Sequence, residues 1–132
     1  FNLGVNDLGN AGNYVSYMTS IASTLKSKNC KLFYMSVNPI NSTMITKAGR
    51  GARTEAQVRE FNSKIRSGLS LDYKYIDMYS VLMKKGYGTN ASYNGTDADS
   101  DDGLHYTTKT FKRIYYYCIT YLNTGSINAS YY

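Results

Sequence analysis

The chain has 132 residues, enough for one domain and a single core. Hydrophobic residues make up 42%, which excludes a disordered chain, and charged residues only 18%, so the polar surface rests on Asn, Ser, Thr and Tyr. The net charge of +6 is spread over separated clusters (Lys26, Lys28 and Lys31; Lys47, Arg50 and Arg53; Lys84 and Lys85; Lys109, Lys112 and Arg113) with no recognition motif, which argues against a nucleic-acid partner.

In chain order, Phe1 to Gly4 reads as the end of a strand, and Val5 to Gly12 as a loop rich in Asn and Gly. A helix is predicted from Asn13 to Lys28, with Tyr14, Tyr17, Met18, Ile21, Ala22 and Leu25 on one face. Lys31 to Val37 is the clearest strand, and its nearly continuous apolar core suits a strand covered on both sides. After Asn38-Pro39 comes a long polar stretch, Ile40 to Arg53, with Gly49 and Gly51 flanking Arg50. It reads as a loop, either a binding loop or lid or a surface excursion.

Thr54-Glu55-Ala56-Gln57 fits a capping box. The helix it opens carries Val58, Phe61, Asn62, Ile65 and Leu69 on one face. Tyr73 to Met78 is a further strand, and Ser80 to Lys85 a short turn or helix. Gly86 to Gly103 reads as loop. Thr107 or Thr108 then caps a final helix with Phe111, Ile114, Tyr115, Cys118, Ile119 and Leu122 on its face, ahead of a loosely held tail.

Strand and helix alternate at a spacing that argues for a parallel α/β sheet with helices on its faces. Three strands are few for such a sheet, so the pattern reads as the back half of a doubly wound domain. Ligands there bind beyond the carboxyl ends of the strands.

Two motifs carry chemistry. Asp102-Gly103-Leu104-His105 holds the only histidine of the chain, with a carboxylate three residues ahead. Such a pair can serve as proton acceptor and orienter. Gly4-Val5-Asn6-Asp7 stands near the other end. The acidic run from Asp97 to Asp102 resembles the start of a calcium loop, but Asp102 and Thr108 stand where an EF-hand needs Gly and Glu. The two cysteines, Cys30 and Cys118, define neither a disulfide framework nor a metal cluster, and Cys118 is expected as a buried free thiol, with a bridge between the two as the alternative. No apolar run has membrane length.

Together the two motifs resemble sequence blocks of the SGNH (GDSL-type) hydrolases, Gly-x-Asn-Asp and Asp-x-x-His. The order of elements between them, and the helix after His105, are similar to the carboxyl-terminal part of that domain. The resemblance implies a three-layer flavodoxin-like sheet whose amino-terminal strands lie outside this chain, so that residues 1–132 form the carboxyl-terminal portion of one SGNH-like domain. It implies ester hydrolysis by an esterase or acylhydrolase, with small acyl esters or O-acylated carbohydrates as substrates, no cofactor, and an extracellular or cell-surface setting. His105 would be the general base, Asp102 its orienter and Asn6 an oxyanion donor. Gly4 and Asp7 would complete the binding loop. The Gly-Asp-Ser block that carries the family's nucleophile is absent from the sequence. The chain alone is therefore expected to be inactive, with a missing segment or a second chain supplying the serine and the strands. Ser100 lacks a strand-to-helix elbow and is a poor substitute. The alternative is a non-catalytic SGNH-derived module that binds glycans through its fifteen tyrosines or serves a structural role.

Overall fold

The computed structural model describes residues 1–87 and 102–127. Its elements are α1 (Ala11–Lys26), β1 (Leu32–Met35), α2 (Ser42–Lys47), α3 (Glu55–Gly68), β2 (Tyr73–Ile76), α4 (Met78–Lys84) and α5 (Thr108–Thr124). The protein mixes helix and strand, and among the described residues its sheet is one parallel pair, β1 with β2. Chain contacts divide it into two compact units. The first comprises Phe1–Val37 and Ala56–Asp77, the second Asn38–Glu55 and the described residues from Met78 onward.

In the first unit the parallel register runs from Leu32 opposite Tyr73 to Met35 opposite Ile76. Successive strand residues point to opposite faces, so the burial of Leu32, Tyr34 and Met35 means that β1 is covered on both sides. Helix α3 buries Val58, Phe61 and Ile65 on the predicted face. Asn62 on that same face is explained by its partners. Its Oδ1 accepts from the Val37 N–H and its Nδ2 donates to the Val37 carbonyl, both at 2.8 Å, which satisfies the backbone just beyond β1. Helix α1 buries Ala11, Met18 and Ala22, while Tyr17 lies off that stripe and is exposed.

The strand expected at Phe1 to Gly4 is reduced to one residue of ladder. The Phe1 amino group donates to the Phe33 carbonyl at 2.8 Å and Met35 N–H donates to the Phe1 carbonyl at 2.7 Å. Ser36, one residue further, donates instead to Ile76. Alternate residues of a strand bond to opposite neighbours, so Phe1 lies along the edge of β1 away from β2. Gly4 then turns the chain aside with φ +118°. A Cβ at Gly4 would stand 2.6 Å from the Phe61 ring, so close approach as well as dihedral demands glycine there.

The second unit is helical. The segment expected as a loop from Ile40 to Arg53 contains α2. Asn41 caps it, its Oδ1 accepting from Met44 N–H at 2.9 Å. The helix closes on Gly49 (φ +65°), with Gly49 N–H bonded to Thr46 and Arg50 N–H to Ile45, the paired bonds of a Schellman end. Helix α4 closes the same way at Gly86 and takes in Met78, which the sequence pattern placed in a strand.

Helix α5 starts where predicted, with Thr107 Oγ1 accepting from Thr110 N–H. Its buried stripe shares Ile114 with the predicted one and otherwise differs. Thr110, Ile114 and Tyr117 are buried, whereas Phe111, Tyr115, Ile119 and Leu122 are exposed. The reason lies in a buried polar cluster. Thr110 Oγ1 donates to the Tyr87 hydroxyl at 3.4 Å, and that hydroxyl also accepts from Arg113 at 2.7 Å. With its hydroxyl paired, Tyr87 is 1% exposed, and the face of α5 that meets it is the one carrying a threonine. No helix among the described residues is long and apolar enough to cross a membrane.

Candidate active site

The turn Asp102 to His105 is built by its own carboxylate. Gly103 adopts φ +81°, and Asp102 Oδ1 accepts from the backbone N–H of Leu104 at 3.0 Å and of His105 at 2.8 Å. The second oxygen, Oδ2, meets His105 Nδ1 at 2.8 Å. Burial alone would raise the Asp102 pKa. The backbone N–H groups of His105 and Leu104 and the imidazole outweigh it and hold the carboxyl well below the usual carboxylate range. An ionised carboxylate only accepts, so the Nδ1 contact places a proton on Nδ1. Nε2 is then the basic nitrogen of the neutral ring. The His105 side chain is 67% exposed and that of Asp102 only 13%, so the orienter is sheltered and the ring faces solvent.

Two further contacts fix this turn, and both come from the segment that reads as a polar loop. The Gly103 carbonyl accepts from Asn41 N–H at 2.8 Å, and a Cβ on Gly103 would lie 2.5 Å from the Asn41 carbonyl oxygen and 2.8 Å from Ile45 N. The turn thus rests on the first residues of α2. Arg50, one residue past the Gly49 end of that helix, brings Nε to 3.1 Å from Asp102 Oδ2. Neither contact was predicted from sequence. The usable signals were Asn41 as a cap and Gly49 as a helix end, which bound a short helix and make Arg50 the first residue beyond it.

The residue after His105 is anchored as well. The Tyr106 hydroxyl donates to the Pro39 carbonyl, and its ring lies edge-on to Tyr87 and Phe111 at centroid separations of 6.0 and 6.1 Å.

Gly4, Asn6 and Asp7 lie in the first unit and Asp102 and His105 in the second. Asp7 N–H donates to the Gly4 carbonyl and Asn10 N–H to the Asp7 carbonyl, each at 2.8 Å, two linked turns leading into α1. Gly4 is buried, and Asn6 and Asp7 are exposed. An open surface pocket of about 320 Å³ is lined by Asp7, Asn10, Asn13, Tyr14 and Tyr17. Asn10, Asn13, Tyr14 and Tyr17 follow three- and four-residue steps and share one side of α1.

Cys30 is exposed and Cys118 half-buried, both as free thiols, and burial pushes the Cys118 thiol pKa up. Among the described residues no group of three acidic, His or Cys side chains is placed to hold a metal ion. Ser100 and the acidic run Asp97 to Asp101 lie outside the described residues. Comparison with family models, with curated proteins and with solved structures found no match.

Proposed function

We propose that the chain is the carboxyl-terminal portion of an SGNH-type ester hydrolase domain with a three-layer flavodoxin-like sheet. It would act at the cell surface or outside the cell on small acyl esters or O-acylated carbohydrates. The observation that supports this reading is the oriented pair: Asp102 Oδ2 at 2.8 Å from His105 Nδ1, with the ring turned out to solvent.

The chemistry follows from that pair. A serine hydroxyl supplied from outside this sequence attacks the ester carbonyl while His105 Nε2 takes its proton. The carbon–oxygen bond to the alcohol breaks, and the imidazolium returns the proton to the leaving alkoxide. Water then repeats the sequence on the acyl-serine. Asp102 stabilises the imidazolium in both halves. A positioned histidine contributes roughly 100- to 10,000-fold. The Asn6 amide is assigned to the oxyanion on the family resemblance, and one such donor is worth about 100- to 1000-fold.

The test uses a protein that joins this chain to the sequence encoded ahead of it. A fluorophosphonate probe should label one serine, and turnover of 4-nitrophenyl acetate should fall about 100-fold or more in His105→Ala. Turnover that survives the substitution removes His105 from the mechanism.

The pocket beside α1 favours a second reading, a glycan-binding module without catalysis. Tyr17 is 66% exposed there beside two amides and a carboxylate, an aromatic platform with planar hydrogen-bonding groups. Saturable binding of a neutral oligosaccharide, weakened by Tyr17→Ala and accompanied by no ester turnover, would select this reading over the first.

A further inference from the structure

The oxygen of Asp102 that orients His105 is not reserved for it. Oδ2 receives His105 Nδ1 at 2.8 Å and Arg50 Nε at 3.1 Å, while Oδ1 is occupied by the backbone N–H groups of Leu104 and His105. The carboxylate therefore meets three N–H groups of its own turn and is ion-paired with a permanent cation. Arg50 reaches it from a constrained base. Gly49 and Gly51 hold φ +65° and +83° on either side, Arg50 N–H is tied to Ile45, and Arg53 Nη1 donates to the Arg50 carbonyl at 2.6 Å. The opposite, amino-terminal end of the same helix supports Gly103, so the turn and the arginine are set from the two ends of one short element.

We propose that Arg50 is a positioning residue that divides the charge of Asp102 between itself and the imidazole, keeping His105 available as a free base. A carboxylate paired with the ring alone favours the imidazolium. A carboxylate already paired with a guanidinium favours it less, because the cation at the shared oxygen repels a second positive charge. Asp102 thus keeps its geometric role, fixing the proton on Nδ1, without locking the ring in its charged form. The charge contacts of this turn include His105 with Asp102 and Asp102 with Arg50 from the end of α2, and Arg53 donates to the Arg50 carbonyl. Lysine at this position would keep the charge but lose the rigid planar head.

The significance of a free base rests on the hydrolase reading, but the test needs neither ester nor serine, so the two fail separately. His105 is the only histidine. Its unprotonated ring nitrogen attacks a carbonyl of diethyl pyrocarbonate and takes up an ethoxycarbonyl group, with carbon dioxide and ethanol leaving, and the adduct can be followed by mass on the peptide that holds His105. Arg50→Gln should slow this reaction roughly three- to tenfold at about pH 6, where ring protonation competes, and leave it unchanged within about twofold at about pH 8. Arg50→Lys should recover most of the rate at the lower pH. In an Asp102→Asn background the Arg50→Gln effect at the lower pH should disappear, as coupled residues require. Equal slowing at both pH values marks Arg50 as a structural tether and overturns the proposal. No slowing, a Lys variant no better than Gln, or an effect that persists without the Asp102 carboxylate does the same. Arg50 is 57% exposed in its side chain, so these substitutions leave no buried gap.

Discussion

Asp102 holds His105 at two points of one turn: Oδ1 accepts the His105 backbone N–H at 2.8 Å and Oδ2 meets its Nδ1 at 2.8 Å. The carboxylate therefore shapes the backbone as well as the ring. Its pKa is held below the ordinary range, burial being outweighed by these donors. The unfolded chain takes up the proton first as pH falls, at about 3.9. The stabilisation is thus complete above that value and drains away as pH drops toward the depressed folded value. Asp102→Asn should cost about 1–2 kcal/mol at neutral pH, the worth of charge-assisted bonds. Urea unfolding should show the gap between wild type and variant narrowing at about pH 3. A gap that stays constant with pH would mean the ionised form contributes nothing.

Gly103 and Gly125 share a left-handed backbone, at φ +81° and +76°, but differ in surroundings. A Cβ at Gly103 meets the Asn41 carbonyl oxygen at 2.5 Å and Ile45 N at 2.8 Å, both backbone atoms that cannot swing away. A Cβ at Gly125 meets nothing within 4 Å. Gly125→Ala should cost only the left-handed penalty, about 1 kcal/mol. Gly103→Ala adds steric displacement of α2 from the turn and should cost about 3 kcal/mol or more. Thermal melting of the two variants side by side checks the difference, and equal losses would place the Asp102–His105 turn away from α2.

What the sequence reveals of this arrangement follows from the range of the forces involved. Strand β1 and the Thr107 cap come from local patterns, an apolar run and a hydroxyl ahead of a helical period, and both are readable. Helix α2 is six residues long, too short for an amphipathic period, so Asn41 and Gly49 were the only marks it left. The Arg50–Asp102 contact joins distant segments through the end of that helix, and no local spacing encodes it. Within the site, Asp102 and His105 are readable because the contact spans a single turn.

Helix α5 shows a pattern that misleads. Of the apolar face Phe111, Ile114, Tyr115, Cys118, Ile119 and Leu122, the helix buries only Ile114, adding Thr110 and Tyr117, because Thr110 and Arg113 meet the Tyr87 hydroxyl. Ile114→Ala should then cost about 2–4 kcal/mol, as a buried aliphatic does. Leu122→Lys, on a residue 49% exposed, should stay within about 0.5 kcal/mol of wild type. Chemical denaturation of both variants reads the phase of the helix directly. Comparable losses at the two positions would mean that Leu122 is buried along with Ile114, as apolar periodicity alone expects.

Asn62 makes the most specific prediction for the first unit. Its amide both accepts from and donates to the backbone of Val37, at 2.8 Å each way, in a setting where Asn62 is 7% and Val37 4% exposed. Asn62→Leu leaves a buried N–H and a buried carbonyl unpaired, at about 1–3 kcal/mol for each group. Asn62→Asp keeps the acceptor but sets a carboxylate against the Val37 carbonyl. Burial and that carbonyl both favour the protonated acid, which alone can donate as the amide does. The folded variant should therefore hold its proton to higher pH than the unfolded chain. Its stability should be fullest below about pH 4 and decline as pH rises through the raised folded value, opposite in sign to the Asp102 effect. Urea midpoints of Asn62→Asp at about pH 4 and pH 7 distinguish the cases. A midpoint that rises with pH would show that the side chain does not donate to Val37.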